Sequence, residues 1–459
     1  MGLGGFELDY LWYFFIFISI AFPFLHSVHC LPLFRRDSLE RKRRTLEEKG
    51  VSILIPCYNE EEIIETSVSS MKTLSYAKTE ILYINDGSSD KTFAGLNSLL
   101  NLTPCMKAHT LHLQHRNVKG VYQSEYYPHI FVLDKVNGGK ADALNAGIEY
   151  SSQPLVVTLD ADTILTDEAL PAVNQAFSDE NVIAAGGVVH VLQTKVQKPL
   201  DGLSLKAANM LVRAQALDFM KAFYVNKVSL ARFKALAVIS GAFGIFTKKS
   251  LLDVGGYRST VGEDIDITLK MHKYMAKHKK SKVLLIRDAV CYTELPENWK
   301  DLFKQRVRWQ KAFVDCLFHF GPFLLKTLFT KPVSFFYLFE GFFAGTMAVY
   351  IMTGVLIMDG LDGKLFSWTF LFLYVAYILG VGLVYDMVAI GMSERHGYAF
   401  QEKDTYPLLM VIIFDIFFYR FITMFAVIFG TVDYFFNRKA WNKVARTGRH
   451  YETGEETAA

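Results

Sequence analysis

The chain carries long apolar runs near its two ends, while short apolar runs separated by polar turns fill the middle. Leu11 to Leu33 is almost wholly apolar, and Val333 to Met358, Phe366 to Ile390 and Leu408 to Phe436 form three further blocks. Roughly 20 apolar residues cross the hydrocarbon core of a bilayer as a helix, so each block predicts a membrane span. His26 and His29 put the last turn of the first block at the interface. Between the blocks the period changes. Val51–Pro56, Glu80–Asn85, His129–Leu133 and Pro154–Leu159 are short β-branched or apolar runs bounded by turn signals, and they predict strands. Glu61–Leu74, with Ile64, Val68 and Met71 at helical spacing, and Thr92–Leu100 and Lys140–Glu149 predict helices. Strand–helix alternation of this kind predicts an α/β open sheet, whose ligands sit in the crevice at the strand C-termini.

Charge orients these elements. Arg35, Arg36, Arg41, Lys42, Arg43 and Arg44 follow the first apolar block. A signal peptide would carry its charge before the block and a small-residue cleavage site after it. The order found here predicts a retained anchor with its N-terminus outside and the central domain in the cytosol. At the other end, one span per block would put the basic tail (Arg438, Lys439, Lys443, Arg446, Arg449) outside, against the same rule. A break of the last block into two short pieces at Asp415, Tyr419 and Arg420 would reconcile the count. In Leu203 to Arg232, Met, Phe and Leu interleave with Lys206, Arg213, Lys221, Lys227 and Arg232. That pattern fits a membrane-surface helix, or a solvated helix face packed on the central domain.

Composition agrees with membrane segments: 51% of the residues are hydrophobic and the mean hydropathy is +0.20. A net charge of +3 is too small to imply a nucleic-acid partner. Cys30, Cys57, Cys105, Cys291 and Cys316 are widely spaced and odd in number, which argues against a zinc site or a disulfide framework.

Polar residues gather where three predicted strands end: Tyr58-Asn59-Glu60, Asn85-Asp86-Gly87-Ser88 and Asp160-Ala161-Asp162. Each cluster alone could be a helix cap or Asx turn. Three in one sheet point to a ligand crevice. Asp160-x-Asp162 has the spacing to hold a divalent cation shared with a diphosphate, for which hard oxygen ligands suit magnesium or manganese. Gly138-Gly139-Lys140 offers flexible backbone and a cation at a predicted helix start, which suits the same diphosphate, although it lacks the spacing of a Walker A loop.

These residues resemble the inverting family 2 glycosyltransferases, and among them the processive membrane-embedded polysaccharide synthases. The resemblance rests on Ile55-Pro-Cys-Tyr-Asn-Glu60, Asn85-Asp-Gly-Ser88, Gly138-Gly-Lys-Ala-Asp-Ala-Leu-Asn145, Asp160-Ala-Asp162, Gly262-Glu-Asp264 and Gln305-Arg-Val-Arg-Trp309, in the family's order. It implies a GT-A catalytic domain with transmembrane helices and a division into six parts. These are an anchor (1–34), a basic linker (35–50), a cytosolic catalytic domain (51–300), an interfacial region (301–332), C-terminal spans (333–436) and a tail (437–459). The implied location is the cell (inner) membrane, with several passes.

The resemblance also implies roles. Tyr58, Glu60 and Asp86 would hold the uridine, Lys140 the diphosphate or nucleotide, and Asp160 and Asp162 the donor, with Asp162 the better ligand to Mg²⁺ or Mn²⁺. Asp264 would be the general base; an N-cap before Ile265 to Met275 is the competing role. Trp309 would stack under the acceptor sugar, with Gln305, Arg306 and Arg308 towards the diphosphate and Glu263 and Gly241 on the acceptor side. Implied partners are a UDP-sugar, a growing polysaccharide, the bilayer, and small membrane or export subunits. The architecture favours UDP-GlcNAc. Gly262 in place of the usual Thr, and the segment Leu111 to Tyr127, keep a UDP-glucose β-glucan synthase and a hyaluronan-type enzyme open. Two other readings compete: a single-sugar transferase acting on a lipid carrier, against which Gln305 to Trp309 argues, and a transporter. For a transporter Glu340, Asp386 and Asp415 are the obvious ionisable candidates in the blocks, and no internal repeat supports one.

Overall fold

The computed structural model describes residues 3–34, 47–194, 204–361, 382–396, 398 and 404–437. At its centre is one sheet of ten strands: β1 (Val51–Cys57), β2 (Thr79–Asn85), β3 (Leu102–Pro104), β4 (Val118–Ser124), β5 (Ile130–Lys135), β6 (Leu155–Leu159), β7 (Ile164–Leu165), β8 (Val182–Val191), β9 (Phe243–Thr247) and β10 (Lys282–Thr293). Their order is β3-β4-β5-β2-β1-β6-β9-β8-β10-β7. β1 pairs in parallel with β2 on one side and β6 on the other, and β2 continues in parallel to β5. Chain order therefore reverses at β1, which opens a crevice at the C-terminal ends of β1, β2 and β6. Beyond β6 the sheet is mixed, because β9 runs antiparallel between β6 and β8.

Side chains of β1 alternate between two cores, as the period of two requires. Val51, Ile53 and Ile55 pack with Val68, Met71, Leu96 and Leu100 from the helices Ile64–Lys72 and Thr92–Leu100. Leu54 packs on the other face with Leu144 and Ile148 of the helix Lys140–Tyr150. Every residue of β6 and β8 is buried, which explains their mostly apolar character, with Thr158 and His190 the buried polar exceptions.

Among the described residues, three helices are long and apolar enough to cross a membrane: Phe14–Leu33, Pro332–Val355 and Thr405–Phe436. The predicted block from Phe366 lies mostly outside the described residues; its end belongs to the helix Val384–Arg395. Thr405–Phe436 is one 32-residue helix, not two pieces. Its polar residues instead coincide with a π-wound stretch, Asp415–Tyr419. The segment after residue 203 is no surface helix. Its helix Met210–Met220 and π-turns Lys221–Asn226 are largely buried, layered between the sheet and the apolar helices, and the following helix Lys227–Arg232 buries Val228 and Ser229 and ends on an exposed Arg232.

Candidate active site

The turns after β1 and β2 are laced together. Asn59 stands at φ +56°, a left-handed conformation that asparagine tolerates. Its backbone N–H donates to Ser88 Oγ (3.0 Å), and its Oδ1 accepts from the Ser89 N–H (2.8 Å). The Glu60 N–H donates to Thr92 Oγ1 at 2.7 Å. Tyr58 is left exposed on this rim.

Asp86 shapes the glycine loop. Its buried carboxylate accepts from the Gly138 N–H (3.0 Å), the Gly139 N–H (2.7 Å) and Lys135 Nζ (2.6 Å). Lys135 is fully buried and also contacts Asp142 at 2.5 Å. Charge-assisted bonds of this kind are each worth about 1.5–3 kcal/mol, so the loop is pinned. Glycine is required at both positions. Gly139 stands at φ +88°, and a Cβ on Gly138 would lie 2.3 Å from the Asp142 carboxyl carbon.

The loop delivers Lys140 to the centre of the crevice. Its Nζ lies 2.7 Å from Asp160 Oδ1 and 3.0 Å from Glu263 Oε1. Burial alone would lower the Lys140 pKa, but the two carboxylates outweigh it and hold the ammonium well above its ordinary value. A Cβ on Gly241 would meet Lys140 Nζ at 3.0 Å, so glycine there lets the backbone approach the ion pair.

Asp264 is the next residue of the same helix, Glu263–Lys277. Gly262 is its N-cap, so Asp264 does not fill the capping role. Its Oδ1 accepts from the Ile265 N–H at 2.8 Å. Burial, with Glu263 adding to it, pushes the Asp264 pKa up to about 6, against the pull of Lys140 and Lys227. Lys227 gave no signal in the sequence beyond one cation in a basic stretch. It lies within electrostatic reach of Asp264, and burial brings its pKa down to about 8.

Gln305 to Trp309 lies on the helix Trp299–Lys326, whose N-cap Asn298 accepts from the Asp301 N–H at 2.9 Å. This helix abuts the one that carries Asp264. A Cβ on Gly262 would stand 2.6 Å from Ala312 Cβ, which accounts for glycine where the family motif has Thr. Arg258 ties the two helices by reaching Asp266 (2.6 Å) and Asp315 (2.5 Å). Trp309 is 39% exposed. Arg306, expected at the diphosphate, instead places its guanidinium carbon 4.3 Å from the Trp309 ring centroid and bonds Asp218 and Tyr419. Arg308, two residues further along the helix, is half-buried. Gln305 Oε1 is buried with no hydrogen-bond partner among the described residues.

Lys140, Asp160, Glu263, Asp264 and Gly241 thus share one centre, with Asp86 pinning the loop that leads to it. The Trp309 group sits on the adjoining helix. Asp160 and Asp162 flank the turn after β6, where the Thr163 N–H closes on the Asp160 carbonyl at 3.0 Å. Their carboxylates are hard donors of the type magnesium and manganese take, so the residues fit such an ion. No group of three or more His, Cys, Asp or Glu side chains forms a metal cage among the described residues, so an ion here would draw further oxygens from its ligand.

Residues 52–251 match the family described as Glycosyl transferase family 2. Residues 155–385, more than half of the chain, match Glycosyl transferase family group 2. A poly-beta-1,6-N-acetyl-D-glucosamine synthase of Staphylococcus epidermidis is 29% identical over 338 residues, 73% of this chain and 71% of that protein. One of Staphylococcus aureus is 30% identical over 267 residues, 58% of this chain and 55% of that protein. Among solved structures, the mannosyltransferase PcManGT from Pyrobaculum calidifontis, in complex with GDP-Man and Mn²⁺, aligns with 92% of this chain and 99% of its own. It does so at 16% identity and a TM-score of 0.49, a likeness that carries no functional argument.

Proposed function

The chain belongs to glycosyl transferase family 2, and from that membership we propose that it is a membrane-embedded, inverting and processive synthase that polymerises N-acetylglucosamine from UDP-GlcNAc. The donor rests on the two staphylococcal relatives, both of which are named as poly-beta-1,6-N-acetyl-D-glucosamine synthases. The reading is carried by one observation. A buried carboxylate, Asp264, whose pKa is raised to about 6, sits beside the Lys140–Asp160–Glu263 ion pairs, on a helix in contact with the helix that carries Trp309.

In this mechanism the UDP-sugar enters the crevice at the ends of β1, β2 and β6. Tyr58 and Glu60 line the uridine side, and Asp86 holds the loop that presents Lys140 to the diphosphate. Asp264 takes the proton from the acceptor hydroxyl, whose oxygen attacks the anomeric carbon from the face opposite UDP. The bond to the UDP oxygen breaks as the new glycosidic bond forms, and an α-linked donor gives a β-linked product. One carboxylate suffices for such an inversion, and its raised pKa keeps it a competent base near neutral pH. Glu263 stays paired with Lys140 and keeps the two carboxylates from competing for one proton. Arg308 and Lys140 are the cations assigned to the departing diphosphate. Asp162 and Asp160 would hold Mg²⁺ or Mn²⁺, which when bound supplies positive charge to the leaving group. The acceptor end rests against Trp309, whose flat apolar face suits a sugar ring. The apolar helices give the polymer a route across the membrane, with the catalytic domain cytosolic.

The test is a donor screen on the full chain in detergent with Mg²⁺ or Mn²⁺. It follows UDP release and product size with UDP-GlcNAc, UDP-Glc, and UDP-GlcNAc plus UDP-GlcA. A long polymer from UDP-GlcNAc alone is expected. Single-sugar products would overturn processivity, and a polymer from another donor would overturn the choice of sugar.

A further inference from the structure

The reaction centre is not the only charged cluster in the molecule. Between the sheet and the apolar helices, Lys221 Nζ lies 3.0 Å from Asp415 Oδ2 and 3.3 Å from Asp386 Oδ1. Arg420 lies 3.1 Å from Asp415 and 3.9 Å from Asp386. Both carboxylates are buried. At the end of the same π-wound stretch, the Tyr419 hydroxyl accepts from Arg306 Nη2 at 2.6 Å. Arg306 Nη2 also lies 2.9 Å from Asp218 Oδ2, to which the Tyr419 hydroxyl donates at 3.5 Å. Three cations and three carboxylates thus form a charge-balanced set that ends on Arg306. Asp386, Asp415 and Lys221 are buried, so loss of one of these strands a charge largely out of solvent, while Asp218 and Arg420 at the two edges keep 31% and 30% of their side-chain exposure.

Arg306 in turn covers one face of the Trp309 indole, with its guanidinium carbon 4.3 Å from the ring centroid. That face is closed to any sugar, and the other is the one left to stack on. The indole cannot turn over without breaking the cation–π contact. We propose that Asp218 and Tyr419, rooted in the Lys221–Asp415–Arg420–Asp386 cluster, are positioning residues that fix Arg306 and thereby set where the acceptor end of the polymer rests on Trp309. This rests on the reading of Trp309 as the acceptor platform. Among the described residues, the ion pair and side-chain hydrogen bonds of Asp218 and Tyr419 run to Arg306 and to each other and not to Lys140, Asp160, Glu263 or Asp264, so their effect falls on the acceptor and not on the donor.

The test compares the full-length wild type with Asp218→Asn, Asp218→Glu and the milder Tyr419→Phe, all in detergent. It uses UDP-GlcNAc and a short oligosaccharide of β-linked N-acetylglucosamine as acceptor. Asp218→Asn and Tyr419→Phe are expected to raise the acceptor KM tenfold or more and shorten the product, with the donor KM within twofold of wild type. Asp218→Glu, which keeps the charge, should recover most of the acceptor KM. The proposal is overturned if Tyr419→Phe and Asp218→Asn keep the wild-type acceptor KM and product length. It is equally overturned if donor and acceptor KM rise together, because that marks general damage. A wild type that releases UDP without elongating any acceptor would overturn the acceptor reading itself, and this inference with it.

Discussion

Replacing Gly262 by Ala adds one methyl group at the contact between the base-bearing helix and the helix of Trp309. The new Cβ would stand 2.6 Å from Ala312 Cβ and 3.0 Å from Ala312 Cα. Carbon atoms rest at about 3.5–4.0 Å, so the helices must part by roughly an ångström. Overpacking of this size costs about 1–3 kcal/mol, which a folded domain survives. The catalytic cost is larger in proportion. Asp264 lies on one of these helices and Trp309 on the other, and a misplacement of about 1 Å can cost on the order of 10²-fold in rate. The assay is UDP release at saturating donor, with melting followed in parallel. Gly354→Ala is the control, since it lies inside the apolar helix Ala348–Leu361 with open space at the added Cβ. There the change should leave turnover intact and, if anything, stabilise the helix by about 0.5–1 kcal/mol. Wild-type turnover in Gly262→Ala would refute the claim that this contact sets the distance between base and acceptor.

Asp264 must be ionised to act as base, and its pKa is raised to about 6. Turnover should therefore fall about tenfold per pH unit below 6 and level off above it, and a profile flat from pH 5 to 7 would count against the assignment. Asp264→Asn should lower the rate by about 10²–10⁴-fold and abolish that limb, as a pH series on the variant would show. Lys140→Met leaves Asp160 and Glu263 facing each other without their shared cation. Donor affinity measured by titration should drop about tenfold or more, since the diphosphate loses a hydrogen bond from a charged group, worth about 1.5–3 kcal/mol. Chelation by EDTA should stop UDP release and added Mn²⁺ or Mg²⁺ restore it. Asp162→Ala should then need more metal for half-maximal rate, and an unchanged metal titration would remove Asp162 from the cation site.

The first half of the sheet was legible because its signals are local. Thr92–Leu100 is predicted and found with the same bounds, and β1, β2, β5 and β6 differ from their predicted runs by one or two residues at an end. β-branched runs closed by turn residues need no distant partner to be recognised. The second half was not assigned from sequence. β8 contains Ala-Ala-Gly-Gly, a weak strand former, and is held by β9 and β10, so only tertiary pairing makes it a strand. The buried cations show the same limit. Lys135 carries no signal in the sequence and Lys221 is one cation of a basic stretch; only folding brings Asp86, Asp142, Asp386 and Asp415 to them. Gly262 looked like a departure from a motif, and its reason lies across the interface, in Ala312.

The helix Trp299–Lys326 bears on how a polymer could advance. Its 28 residues span about 42 Å at 1.5 Å per residue. On one side it meets Gly262 through Ala312, and on another it meets Gly430 of the helix Thr405–Phe436, where an added Cβ would lie 2.7 Å from Gln310 Cβ. Lys311 Nζ reaches Asp433 at 2.8 Å and Gln310 Nε2 donates to Thr431 at 3.0 Å, which reinforces the second contact. Trp309 therefore sits on an element clamped at adjacent residues to both the catalytic helix and an apolar helix. A shift of this helix would have to break contacts at backbone distance on both sides, with Gly262 and with Gly430. If Trp309 is the acceptor platform, any movement of its backbone therefore carries the helix of Asp264 and the apolar helix with it.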